Sequence, residues 1–366
     1  VGTIPPLFSP KQNNKYMSVY IQGIGNISLQ NTFKQDGFPE PVRYSEPYVR
    51  CIDPDFREFI NPNEARRMSK VIKRAIATAK ISISESGITM PDAIISGTGL
   101  GCIDDTEKFL SAMIDNDEKF LQPTFFIQST HNTISSQIAL SLKCHGYNNT
   151  FVHGGMSFEC ALADAMLLFA DKRIKTALVG GYDEMTPSYF KLLNRVGFWK
   201  KEVPDSFDLN KSNTPGSMSG EGSVSVMLSD IKTEKSYAAI HNMEMLYRPE
   251  SLETSLKTFL LRNGKMTSDI DLVVMGISGD ASGDEIYKTM ANNLFEEKAQ
   301  AWYKHLCGEY FTSTGFGFWL AANCIRHKQI PSYAALNNKD GGKLQNVLLV
   351  NHYNNKNFSL ILFTAC

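Results

Sequence analysis

Residues 156–170 place the strongest constraint on how this chain folds. Phe158, Cys160, Ala161, Leu162, Ala163, Ala165, Met166, Leu167, Leu168, Phe169 and Ala170 leave almost no polar face. A helix that is apolar all round has to be enclosed by the rest of the protein. It leads directly into Thr176-Ala-Leu-Val179, a run with the character of a buried strand. A buried helix set between buried strands calls for a layered α/β architecture.

The remaining pattern is compatible with that demand. At 366 residues, the chain has room for two roughly equal units or for one large fold built from two similar halves. Apolar residues make up 42% and charged residues 20%, which excludes global disorder and leaves ample material for a core. Lys+Arg is 37 against Asp+Glu 38, so no charge excess selects a nucleic acid. The seven cysteines are scattered, and none forms a C-x-x-C pair, so neither a zinc site nor a thioredoxin-type centre is expected. No apolar run reaches the ~18 residues of a membrane span, and the first residues lack a signal-peptide pattern. The expectation is a soluble cytoplasmic protein with no cofactor and no metal.

Residues 1–16, rich in Pro, Asn and Lys, read as a tail or upstream extension, with Met17 a plausible start. A first strand follows over 17–25. Asn61, Pro62 and Glu64 supply N-cap, N1 and capping-box positions for a helix. Its apolar face recurs through Met68, Val71, Ile72, Ala75, Ile76 and Ala79, and Gly87 ends it. Further strands are expected at 93–96 and 272–277, and helices at 284–295 and 316–324. The chain closes with apolar runs at 346–351 and 358–363, joined by the turn residues Asn354-Asn-Lys-Asn357. No linker composition interrupts the sequence. The division expected is 17–235 for an N-terminal half and 236–366 for a C-terminal half of one fused fold.

Several stretches, taken in order, resemble the β-ketoacyl synthase (condensing-enzyme) family. They are the strand and Gly-x-Gly turn of 17–25, Ile94-Ile-Ser-Gly-Thr-Gly-Leu-Gly101 and the helix of 132–142. Ala177-Leu-Val-Gly-Gly-Tyr-Asp183 resembles that family's Val-Ala-Gly-Gly-x-Glu element. Pro204-Asp-Ser-Phe-Asp208 with Gly216-Ser-Met-Ser-Gly-Glu-Gly222 resembles its Pro-Phe-Asp and Gly-Glu-Gly signature, and Lys304 with Cys307-Gly308 its Lys-x-x-x-Gly-His stretch. The resemblance implies a thiolase-like fold: two similar α/β halves in α-β-α-β-α layers.

Enzymes of that family use a Cys nucleophile at the N-terminus of the buried central helix and two histidines from the second half. Here the nucleophile position, counted back from Gly180-Gly181, falls on Gly155 within His153-Gly-Gly-Met-Ser157. The region of the first histidine, 275–284, contains none. Glu309 stands where the second would follow Gly308. The gating position after Gly216 is Ser217, and the glycine-rich loop with its gating Phe is rewritten as Asn351-His-Tyr-Asn-Asn355.

Cys160, His153 and His305 are the residues available for relocated chemistry. Five helical positions turn through roughly 500°, so Cys160 points away from the direction of residue 155, and a buried core thiol is the plain account of it. Cys144 and His145 are neighbours that do not face each other on a helix. Asp280 and Asp284 fit turn and helix-cap chemistry better than a metal site. The Gly97-Thr-Gly-Leu-Gly101 turn lacks the glycine spacing of a dinucleotide loop.

The first expectation is a catalytically silent homologue that resembles a chain length factor. It would pair with an active ketosynthase, or with itself, in fatty acid, polyketide or aryl-polyene type synthesis, with an acyl carrier protein as a further contact. Gly155, Met156, Ser217, Lys304 and Glu309, with His153, would shape the pocket at the lost site. The alternatives are a 3-oxoacyl-(acyl carrier protein) synthase or other acyltransferase using Cys160, His153 and His305, and a homodimer that binds an acyl chain.

Overall fold

A computed structural model describes residues 18–33 and 36–366; the expected tail and the start at Met17 lie outside the described residues. The first run of elements is β1 (Val19–Ile27), α1 (Pro62–Ala65), α2 (Lys70–Ser86), β2 (Ala93–Gly97), α3 (Ile103–Asp115), α4 (Pro123–Ser129) and α5 (Thr133–Leu142). It continues with β3 (Tyr147–Phe151), α6 (Ser157–Ala170), β4 (Thr176–Asp183), α7 (Pro187–Arg195) and β5 (Gly222–Ser229). The second run is β6 (Ala239–Tyr247), α8 (Leu252–Arg262), β7 (Leu272–Met275), α9 (Ala281–Phe295) and β8 (Ala299–Trp302). It ends with α10 (Lys304–Cys307), α11 (Thr314–His327), β9 (Asn346–Tyr353) and β10 (Asn357–Thr364).

The strands form one sheet in the order β3-β2-β4-β5-β1-β6-β10-β9-β7-β8. Matching β1 to β5 with β6 to β10 in turn, the second half repeats the first in reverse. In each, three parallel strands are followed by two antiparallel ones. The halves meet where β1 pairs with β6 at Val19–Ile240 and Tyr20–Ala239.

Three apolar clusters define the layers. In the centre, Phe158, Leu162 and Phe169 of α6 and Phe316, Phe318 and Leu320 of α11 are enclosed by Val179 and Val226 on one side and Leu349 and Ile361 on the other. Outside the first half, Val71, Ile72 and Ala75 of α2 and Ile134 of α5 cover Leu178 and Met227. Outside the second half, Leu256 and Phe259 of α8 and Met290 of α9 cover Val273 and Leu348. Neighbours such as Leu178 and Val179 face opposite layers, as the period of two in a strand requires. The result is the thiolase-like α-β-α-β-α arrangement.

Two expectations need correction. The helix expected from Asn61 onward is two helices. Asn61 caps the short α1 through the N–H of Asn63, and α2 starts afresh after Ser69, which has extended backbone. Gly87, at φ +71°, ends α2 as expected. Second, α6 is not purely apolar: Glu159, in its first turn, is fully buried.

The sheet has two unlike ends. At β8 the chain at 334–336 lies alongside, with Trp302 N–H donating to Ala334 O (3.0 Å) and Leu336 N–H to Gln300 O (2.8 Å). At β3 no strand lies on the outer side among the described residues. Also among them, no helix is long and apolar enough to cross a membrane.

The Gly-Glu-Gly signature has a structural task. The Glu221 carboxylate is fully buried, and it accepts from the N–H groups of Cys51 (2.9 Å) and Met185 (3.1 Å). It also pairs with the buried Arg74 of α2 at 2.9 Å, while Asp53 holds the same guanidinium at 2.5 Å. Removing Glu221 would leave the buried guanidinium to Asp53 alone and the N–H groups of Cys51 and Met185 without their acceptor. Glu221→Ala should therefore destabilise the protein by about 3–5 kcal/mol, seen as a lower denaturant midpoint. An unchanged midpoint would contradict this account of the cluster.

Candidate functional site

The chain enters the central helix through a tight turn. After β3, residues Gly154–Met156 form a single 3-10 turn, with Gly154 at φ +54°. Ser157 ties it down: its hydroxyl accepts from His153 N–H and donates to Gly154 O, both at 2.8 Å. Gly155 and Met156 are buried at the start of α6, whereas the side chain of His153 is exposed.

Two aromatic rings from the second half cover this turn. A Cβ built on Gly155 would lie 2.4 Å from Cγ and Cδ2 of Tyr353, the last residue of β9. A Cβ on Gly99 would lie 2.1 Å from Cδ2 of Phe311. Neither position accepts a side chain while the ring is there. The two rings meet each other with centroids 5.8 Å apart. Beside them is a pocket with about 50 Å³ of free volume, walled by Tyr189, Leu193, Phe198, Trp199, Phe311 and Tyr353. Glu309 and the acids Asp183 and Glu184 also border it.

The expected residues fall into separate groups. Gly155 and Glu309 lie at or beside the pocket. Lys304 is buried and pairs with Glu309 at 2.6 Å, and Ser313 Oγ donates to the other oxygen at 3.4 Å. Ser217 contributes backbone: its N–H donates to Phe198 O, and its carbonyl accepts from Lys200 N–H. That bridge fixes the two aromatic residues that line the pocket.

His305 is not brought to this place. Its ring stacks on Trp302 at 3.7 Å, meets Phe207 edge-on and bonds Tyr333 O through Nε2 at 2.8 Å. Burial pushes its pKa down to about 3, so the ring is neutral. Cys160 lies one turn into α6 and is half-buried. Burial, with the neighbouring Glu159, raises its thiol to about 11. The attacking species of a cysteine is the thiolate, and Cys160 is a thiol at neutral pH. Asp280 caps α9 by accepting from Gly283 N–H, and Asp284 accepts from Ser278 and Gly279 N–H, so both do helix-cap work.

The acids at the pocket were not singled out from sequence. Asp183 accepts from Gly99 N–H, the Thr98 hydroxyl, and the N–H and hydroxyl of Thr312, all within 3.1 Å. Glu184 accepts from Asp104 N–H at 3.1 Å and Val71 N–H at 3.4 Å, in the first turns of α3 and α2. Burial outweighs these bonds and raises Asp183 to about 6 and Glu184 to about 7. Glu159, bonded to the Ser359 hydroxyl at 3.0 Å, is raised for the same reason. The Gly-Gly-x-acid pattern was a signal for Asp183; Glu159 and Glu184 had none.

Residues 28–233 match the sequence model of the β-ketoacyl synthase N-terminal domain. The chain belongs to the β-ketoacyl synthase family. Solved structures that it resembles include the ishigamide ketosynthase/chain length factor, at TM-score 0.75 and 14% identity over 96% of this chain and 100% of that one. A β-ketoacyl synthase from Burkholderia phymatum gives TM-score 0.78 at 13% identity, over 96% of this chain and 100% of that one. A ketosynthase in complex with its chain length factor from Xenorhabdus doucetiae gives 0.74 at 13% identity, over 98% of this chain and 100% of that one. At these identities the likeness is one of fold. No curated protein matches the sequence.

The raised carboxyl groups give stability a sign with pH. In the unfolded chain, Asp and Glu titrate near ~4, so over the window up to about 7 these two carboxyls bind more protons in the folded state, whereas the buried His305 and His352, whose pKa values burial lowers, bind fewer. The contribution of Asp183 and Glu184 is therefore greatest at the acid end of that window and is lost as the pH rises through it, while the two histidines contribute in the opposite sense. The stability of the wild type relative to Glu184→Gln should fall as the pH rises through the window, measured by denaturant unfolding of both at successive pH values. A difference that stays constant or grows would contradict the assignment.

Proposed function

We propose that this chain is a partner subunit of an active ketosynthase, similar in role to a chain length factor and without condensation chemistry of its own. The observation that carries the reading is Gly155: the residue at the start of the central helix has no side chain, and the Tyr353 ring stands where one would go. A family member without a nucleophile there loses the group that carries the acyl chain. Removing one member of a catalytic unit costs up to ~10⁶ in kcat in the best-studied triad. Cys160, as a protonated thiol, and His305, a neutral ring in its own aromatic stack, are poor substitutes.

The outer edge of β3 supports the partner half of the reading. An unpaired edge strand is a template for another chain. α5, which packs on β3, follows α4 and α3 in a contiguous layer. These elements expose Leu110, Ile114, Phe126, Ile127 and Leu140, with Val152 just beyond β3. An apolar patch at a free sheet edge marks an interaction surface. The occupant proposed is a homologous ketosynthase, with an acyl carrier protein as a further contact of the pair. His153, Gly155, Met156, Ser217, Lys304 and Glu309 would act by shaping the site, and the substrate class would be acyl thioesters of fatty acid, polyketide or aryl-polyene type.

Intact-protein mass after incubation with acyl and malonyl thioesters should show no adduct, for the wild type and for Cys160→Ala alike. A gain of one acyl group that disappears in Cys160→Ala would sink the proposal and establish a relocated nucleophile. With an active ketosynthase as partner, Leu140→Asp combined with Val152→Asp should weaken association by at least about tenfold. Unchanged affinity would remove β3 from the interface.

A further inference from the structure

Tyr353 is held from several directions. It ends β9 and pairs with Asn357 of β10, and Lys356 N–H donates to its carbonyl at 3.2 Å. The turn between these strands contains Asn354 and Asn355 at φ +55° and +50°, left-handed positions that Asn tolerates better than most residues. The last rung of a closed hairpin cannot swing as a loop tip does. The ring also rests on Phe311, which is itself seated over Gly99. Moving Tyr353 from Gly155 would therefore require giving up the contact with Phe311 against a backbone held by the hairpin.

The space left beside the rings is small. About 50 Å³ accommodates a few water molecules. Its walls are mostly aromatic and aliphatic, with Asp183, Glu184 and Glu309 at the border, and the Tyr353 ring fills the place beside Gly155.

We propose that Tyr353 is a fixed plug that closes this chain's own pocket to acyl chains. Gly155 is then glycine because the ring needs its place, and restoring a thiol at 155 would not by itself restore an acyl site. The inference deepens the partner reading: an acyl chain handled by the pair would lie in the other subunit.

The test is binding of cis-parinaric acid, a fluorescent fatty acid, to the full chain. Wild type and Tyr353→Phe should show no saturable binding at micromolar concentration, and Tyr353→Ala should acquire it. Saturable binding by wild type, or none by a folded Tyr353→Ala, overturns the plug. Gly155→Ala supplies a second arm that does not depend on that variant folding. It should lower Tm by roughly 1–4 °C, the scale of an overpacked core in a chain of this length, and the drop should shrink in the Tyr353→Ala background. An unchanged Tm for Gly155→Ala also overturns it. Association with an active ketosynthase is measured in parallel. Failure to pair sinks the partner reading, whereas the fatty-acid result reports on the plug alone.

Discussion

The burial of α6 against α11 between the two halves of the sheet is the interaction on which the structure depends. Phe158 and Phe318 meet edge to face at 5.7 Å, and the surrounding side chains are almost wholly removed from water. Each buried side chain of this size contributes about 1.5–3 kcal/mol, so neither half can keep its inner face dry alone. Everything at the candidate site follows from that enclosure. The turn before α6 is anchored by the helix, and the rings that cover it arrive from the second half.

The acids follow the same logic. Asp183 and Glu184 end β4 where the central layer meets the outer one, and they satisfy backbone N–H groups that the connections there leave open. Glu221 does similar work for the N–H groups of Cys51 and Met185 and is itself held by Arg74. The signature residues retained from the family are thus explained by the scaffold. Gly155 and the aromatic rings over it lie at the start of α6, apart from that cluster.

Much of this was legible in the sequence because it is local. The apolar run of α6, the Gly87 stop and the turn before β10 each depend on neighbouring residues, and the structure has all three. The layered fold was legible through the resemblance and the buried helix together. The break between α1 and α2 was obscured because apolar periodicity continues across it while Ser69 starts a new helix. Glu159 was passed over because one acid in an apolar run does not alter the pattern, and its partner Ser359 lies near the other end of the chain. For the same reason residues 351–355 could be singled out from their own composition, while the seat of the Tyr353 ring on Gly155 could not. Contacts made across the fold leave no spacing to read.

The unlike ends of the sheet set the arithmetic of assembly. Because the segment at 334–336 already lies along the β8 side, strand addition has, among the described residues, its point of attachment at β3. Two chains joined there would cover each other's β3 edge, and a third would find no further open edge among the described residues. A filament needs a head and a tail, so growth by this route would terminate at a pair.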